Sequence, residues 1–76
     1  MDYNEELIIE FLLNHEWATS RAIAEELNIK RLVVTGCLIK LKKKGFVASV
    51  NQELLDGRIE KFWRATEEVR KYLTSD

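Results

Sequence analysis

Seventy-six residues, 46% of them hydrophobic, make one small unit (1–76) with a single modest core, and no proline or low-complexity run suggests a linker. No apolar stretch approaches the roughly 18 to 20 residues that span a bilayer; the opening MDYNEEL is acidic where a secretion signal is basic, so a cytoplasmic protein with no membrane association is expected. The formal net charge of −1 hides a separation: up to Leu27 seven acids face one base, whereas from Asn28 to Arg64 nine bases face three acids.

In chain order, Asn4 is the expected N-cap of a first helix, with Glu5 and Glu6 in a first turn where acids suit the helix dipole. Leu7, Ile8, Phe11 and Leu12 fall on one stripe, and Glu6, Glu10 and Asn14 face out, so this helix is expected to support its neighbours. Trp17 lies in a connection able to form a very short strand, and is expected to fill the core. His15, the sole histidine, has no cysteine or second histidine at ligand spacing, so no metal is expected.

The central stretch is SRAIAEELNIKRLVVTGCLIKLKKKG, from Ser20 to Gly45. Thr19 or Ser20 caps a short helix with Ile23 and Leu27 inward and small Ala22 and Ala24 allowing close approach. Asn28 tolerates the unusual backbone of a tight turn, and Ile29 is buried after it. A longer helix follows in which Val34, Leu38 and Leu41 mark the inward face, and Gly45 marks the stop. Its outward face then carries Arg31, Leu32, Thr35, Gly36, Ile39 and Lys43. Gly36 weakens a helix interior by about 1 kcal/mol relative to alanine, which fits either a close approach to the backbone there or a loose helix that tertiary packing tolerates.

After Gly45 the period changes. Phe46, Val47 and Val50 are strand formers, Asp56-Gly57 is a turn signal, and Ile59 to Ala65 is a second strand bearing Phe62 and Trp63. Arg58, Lys61 and Arg64 make this hairpin basic. Thr66 then caps a last helix, TEEVRKYL, with Val69, Tyr72 and Leu73 on one side.

Catalytic signatures are missing: there is no nucleophile elbow, no phosphate-cradling glycine loop and no cysteine–histidine pair at workable spacing. Cys37, the one cysteine, precedes the inward Leu38 and reads as a small helix filler. A non-enzyme without cofactors is expected.

The helix pair AIAEELNIKRLVVTGCLIKL, the KKKGFV junction and the strand ending KFWRAT together resemble a winged helix-turn-helix domain over nearly the whole chain. Within that superfamily the chain is similar to the small bacterial winged-helix regulators of fimbrial operons. It is also similar to the winged module at the front of phenylalanyl-tRNA synthetase α chains. For the branch that binds Z-form nucleic acid, Trp63 is at the expected wing position, but Thr35 and Ile39 stand where an asparagine and a tyrosine belong. The resemblance implies an α+β fold: a three-helix core, a β-hairpin wing and a short C-terminal helix.

It also implies a DNA-binding transcriptional regulator, nucleoid-associated, whose partner is double-stranded DNA. The third helix would enter the major groove while the lysine cluster and wing hold phosphates. The residues expected at that interface are Lys30, Arg31, Thr35, Ile39, Lys40, Lys42, Lys43, Lys44, Arg58, Lys61 and Arg64. Two alternatives stay open: a module that docks a protein partner through Leu32 and Ile39, and an RNA or tRNA-binding module. Tyr72 and Leu73, with Ile8 or Leu12, form the candidate pairing surface of a domain expected to be monomeric in dilute solution and to dimerise, if at all, on DNA.

Overall fold

The computed structural model describes residues 1–74. Helices α1 (Tyr3–Leu13), α2 (Ser20–Leu27) and α3 (Arg31–Lys43) precede an antiparallel hairpin of β1 (Val47–Glu53) and β2 (Ile59–Ala65), and α4 (Glu67–Thr74) follows. Element order and class match the expectation. No helix among the described residues is long and apolar enough to cross a membrane.

The first helix starts two residues earlier than expected, because Asp2 and not Asn4 is its cap. Asp2 Oδ1 accepts from the Glu5 N–H at 2.8 Å, and Glu5 Oε1 accepts from the Asp2 N–H at 3.0 Å. This reciprocal pair is a capping box, which an acid at the cap and a glutamate three residues on can form and Asn4 cannot. The buried face is also rotated from the expected stripe: Glu5, Ile8, Ile9 and Leu12 are buried, and Leu7 and Phe11 only half so. Packing against both α3 and β2 accounts for the rotation, since the helix must cover both.

Trp17 does not fill the core. Its neighbour Ala18 exchanges backbone hydrogen bonds with Trp63, at 3.0 and 2.8 Å, and is buried. Side chains alternate along an extended segment, so burying Ala18 turns Trp17 outward, where it is 45% exposed. The core tryptophan is Trp63.

In α2, Thr19 is the cap, its hydroxyl accepting from the Ala22 N–H at 3.1 Å. Asn28 ends the helix in the left-handed region (φ 55°, ψ 45°), and the Ala24 carbonyl accepts from the N–H groups of both Asn28 and Ile29. Ala24 is buried while Ala22 is exposed, so only one of the two small residues serves close approach. Val34, Leu38 and Leu41 of α3 are fully buried, and join Ile8, Ile9, Leu12, Ile23, Val47, Trp63, Ala65 and Val69 in one cluster.

Cys37 also lies in that cluster. Burial pushes its thiol pKa up, Asp2 and Glu5 push it further, and Lys40 opposes them.

The end of α3 is a Schellman motif. The Phe46 N–H donates to the Leu41 carbonyl at 2.9 Å and the Gly45 N–H to the Lys42 carbonyl at 3.0 Å, with Gly45 at φ +80°. The hairpin pairs Val47 with Ala65 through to Glu53 with Ile59. Its tip is closed by Leu54 N–H to Arg58 carbonyl at 2.7 Å and Gly57 N–H to Leu54 carbonyl at 2.9 Å, with Gly57 left-handed as the Asp56-Gly57 signal implies.

The two helix-associated glycines should respond oppositely to alanine. A Cβ at Gly36 meets nothing within 4 Å, so Gly36→Ala is expected to stabilise the protein by about 1 kcal/mol and raise its melting temperature by roughly 4 to 8 °C. A Cβ at Gly45 would run into the Glu68 carboxylate on a left-handed backbone, so Gly45→Ala should destabilise it by at least about 1 kcal/mol. Thermal denaturation of both variants checks the signs.

Cys37 yields a pH prediction. Its folded pKa lies above its unfolded value, so its stabilising effect is complete while the thiol is neutral in both states. That effect is lost as pH rises past about 8.5, where the unfolded chain gains a thiolate that the folded chain resists. Urea midpoints should therefore fall on the alkaline side, and fall less for Cys37→Ala.

Candidate nucleic-acid interface

The exposed face of α3 and the inward-leaning strand of the wing enclose an open groove of about 650 Å³. Residues spaced four apart share one side of a helix, which brings Arg31, Thr35 and Ile39 into line, with Lys42 and Lys43 at the far end. Lys61 and Trp63 face them from β2, two residues apart on the same side of the strand. Ser20, in the first turn of α2, completes the wall.

Trp63 organises the cations. The residue is 5% exposed, with the Lys42 Nζ 5.9 Å and the Lys61 Nζ 5.7 Å from its ring centroid. Lys42 Nζ also donates to Ser49 Oγ at 3.2 Å, and Ser49 is the cross-strand partner of Trp63. Each ring contact contributes about 0.5 to 1 kcal/mol at an exposed site. Both ammonium groups line the groove, so their charges together favour an anion there.

The remaining sequence-predicted residues are dispersed. Lys30 is exposed at the N-cap of α3 and makes no side-chain cap bond. Lys40 is exposed on another flank, where its charge acts on Cys37. Lys44 Nζ lies 3.4 Å from Glu5 Oε2, which ties it to the acidic helix. Arg58 sits at the wing tip, its Nε donating to Asp56 Oδ2 at 2.7 Å, and borders a smaller hollow shared with Arg31 and Lys61. Arg64 points to the other face of the hairpin and lies 5.5 Å over the ring of Trp17. Ser20 and Trp63 were not among the expected site residues. The alternation Lys61, Trp63, Ala65 was the available signal for Trp63, whereas nothing in the order of residues brings Ser20 to the wing.

The expected pairing surface is altered as well. Ile8 and Leu12 are fully buried, so the apolar hollow between the terminal helices is bordered instead by Met1, Leu13, Tyr72 and Leu73.

No protein-family model matches the chain, and no curated protein is found as its relative. Solved structures do match. Lactococcus lactis ZitR in complex with DNA is 29% identical with a TM-score of 0.74, over 90% of this chain and 44% of that one. The PcaV transcriptional regulator of Streptomyces coelicolor, in complex with its natural ligand, is 18% identical with a TM-score of 0.82, over 93% and 49%. NMB1585, a MarR family regulator from Neisseria meningitidis, is 19% identical with a TM-score of 0.79, over 97% and 51%. This chain thus spans about half the length of these regulators. None of the three supports the narrower resemblance to fimbrial-operon regulators or to the synthetase module. Together they establish the architecture: the chain is a winged helix-turn-helix, with α2 and α3 as the helix pair and β1 and β2 as the wing.

Proposed function

We propose that this domain is a DNA-binding transcriptional regulator in which α3 enters the major groove and Lys42, Lys43 and Lys61 hold phosphates. The observation that carries the reading is the convergence of Arg31, Lys42, Lys43 and Lys61 on one groove between the helix and the wing. A duplex offers a dense line of negative charge to such a groove, and cations on its walls supply affinity without regard to sequence. The likeness to ZitR, solved in complex with DNA, supports it. Arg58 extends the phosphate contacts at the wing tip, since its exposed pair with Asp56 contributes less than about 1 kcal/mol and opens readily. Lys30, Lys40 and Arg64 contribute at longer range, through the field of the basic half. Lys44 serves the fold first, through Glu5.

One observation favours a second reading, a protein-docking module: Leu32 is 87% exposed and Ile39 48% exposed on the same helix.

Replacing Lys42, Lys43 and Lys61 together by glutamine should weaken binding to random-sequence duplex at every sequence. It should also flatten the salt dependence by about 0.9 in slope for each phosphate that is no longer neutralised. Fluorescence anisotropy at two salt concentrations measures both, and an unchanged slope refutes the phosphate role. Lys44→Gln is the contrasting variant, expected to change the slope less.

The free domain is proposed to be a monomer that pairs, if at all, on DNA. Glu6 and Glu10 border the hollow between the terminal helices and bring like charges together when two copies approach. Sedimentation equilibrium at micromolar concentration should return the monomer mass; a stable dimer that Leu73→Glu dissociates would overturn this.

A further inference from the structure

The part of α3 that faces straight out is apolar up to Lys43 at its far end, and Arg31, Lys42 and Lys61 stand to its side. Leu32, Gly36, Ile39 and Lys43 recur at four, three and four residues, which sets them on one face. Leu32 is 87% exposed and Ile39 48% exposed, and the space over Gly36 is empty. Folding explains none of this exposure, because the core is closed by the opposite face of the helix, where Val34, Leu38 and Leu41 are fully buried.

We infer that this strip is a base-reading surface whose ligand is the C5 methyl group of thymine in the major groove of a B-form duplex. The inference rests on the DNA-binding reading above. Of the groups that base pairs present in the major groove, the thymine methyl is the one apolar group, and apolar side chains are its partners. Leu32 and Ile39 are seven residues apart, which is about 10.5 Å along a helix, or about three base-pair steps. Gly36 between them holds no side chain, so the helix backbone can lie close to the base edges at mid-strip.

Magnitude separates this occupant from a protein partner. A stable protein interface takes about 800 Å² from each side, and two side chains divided by a glycine cannot form the dry centre of such an area. Two methyl groups suit them in size. Charge points the same way, because Lys43 ends the strip and Arg31, Lys42 and Lys61 stand beside it, where they would meet phosphates as the strip meets the bases. RNA is a poor fit, since its major groove is deep and narrow and uracil lacks the methyl.

The test compares a short duplex of alternating A·T pairs with the same duplex carrying deoxyuridine for thymidine, which deletes the methyl and keeps every hydrogen-bonding group. Anisotropy titrations at low salt should show weaker binding to the uracil duplex, by about fourfold for each methyl group that the strip touches. The gap should close when Leu32→Ala and Ile39→Ala are combined. These side chains are exposed, so the variant keeps its fold, which circular dichroism confirms. Lys42→Gln with Lys43→Gln should instead weaken both duplexes equally. Equal affinity of the unaltered protein for the two duplexes overturns the methyl-reading inference and leaves the DNA-binding reading standing, as does a gap that survives the double alanine variant. Failure to bind either duplex overturns both, and a protein partner for Leu32 and Ile39 becomes the reading.

Discussion

The end of α3, the root of the wing and the start of α4 are fastened at one point. Gly45 turns the backbone left-handed so that the last carbonyls of α3 are satisfied by its own N–H and that of Phe46. The carbonyl of Gly45 then accepts the Thr66 hydroxyl at 2.7 Å, while the Thr66 N–H donates to the Phe46 carbonyl at 3.0 Å. The same hydroxyl accepts from the Val69 N–H at 3.3 Å and so caps α4. A groove lined by a helix on one side and a strand on the other keeps its width only if the two diverge from a fixed root. Gly45 and Thr66 are that root: 21 residues apart in sequence, they close the hairpin and the helix end with one side chain.

From that root the alternation of β2 distributes functions between two faces. Lys61, Trp63 and Ala65 turn toward α3, and Phe62 and Arg64 turn away. Trp63 is therefore both a core residue and the floor of the cationic groove, which couples the packing of the wing to the positions of Lys42 and Lys61. On the far face Arg64 covers Trp17, a bulky aromatic that the bridge at Ala18 leaves outside. The acidic and basic halves of the chain meet at Glu5 and Lys44. There a buried carboxylate already committed to the capping box receives a partly exposed ammonium. Exposure of Lys44 keeps the direct energy of the pair small, yet it turns the last lysine of the cluster from the groove toward α1.

The helix pair, the hairpin and the stop at Gly45 were legible in the sequence because each rests on a local rule: apolar spacing in α3, a left-handed asparagine at 28, Asp-Gly at the wing tip. The cap of α1 was misread as Asn4, although Glu5 stands three residues after Asp2 at capping-box spacing and only Leu7 stands three after Asn4. The face of α1 and the fate of Trp17 were not legible, because both depend on what lies across the core. A single bridge between Ala18 and Trp63 fixes which of two neighbouring side chains is buried. For the site, composition marked the basic residues only as a group and could not sort them. Sorting needs the direction of each side chain: Lys61 and Arg64 differ by three positions on a strand and so lie on opposite faces. Lys42 and Lys44 differ by two on a helix, which turns one to the wing and the other to α1.

A base-reading face of the proposed kind would limit what one copy of the domain can discriminate. Two methyl contacts discriminate by roughly fifteenfold, whereas regulators separate specific from non-specific sites by at least about a thousandfold. The cations of the groove cannot close that difference, since phosphates occur at every site and raise both affinities together. Two sources remain open to this fold: the deformability of A·T-rich duplex, which the wing would sense at the groove edge, and a second copy on a symmetric site, which squares the discrimination of one. Roughly fifteenfold squared is a few hundredfold, close enough to the requirement that a modest contribution from DNA shape would complete it. On the proposed reading, weak discrimination by α3 would place the burden of specificity on pairing, and a free protein that stays unpaired would keep that specificity dependent on the DNA itself.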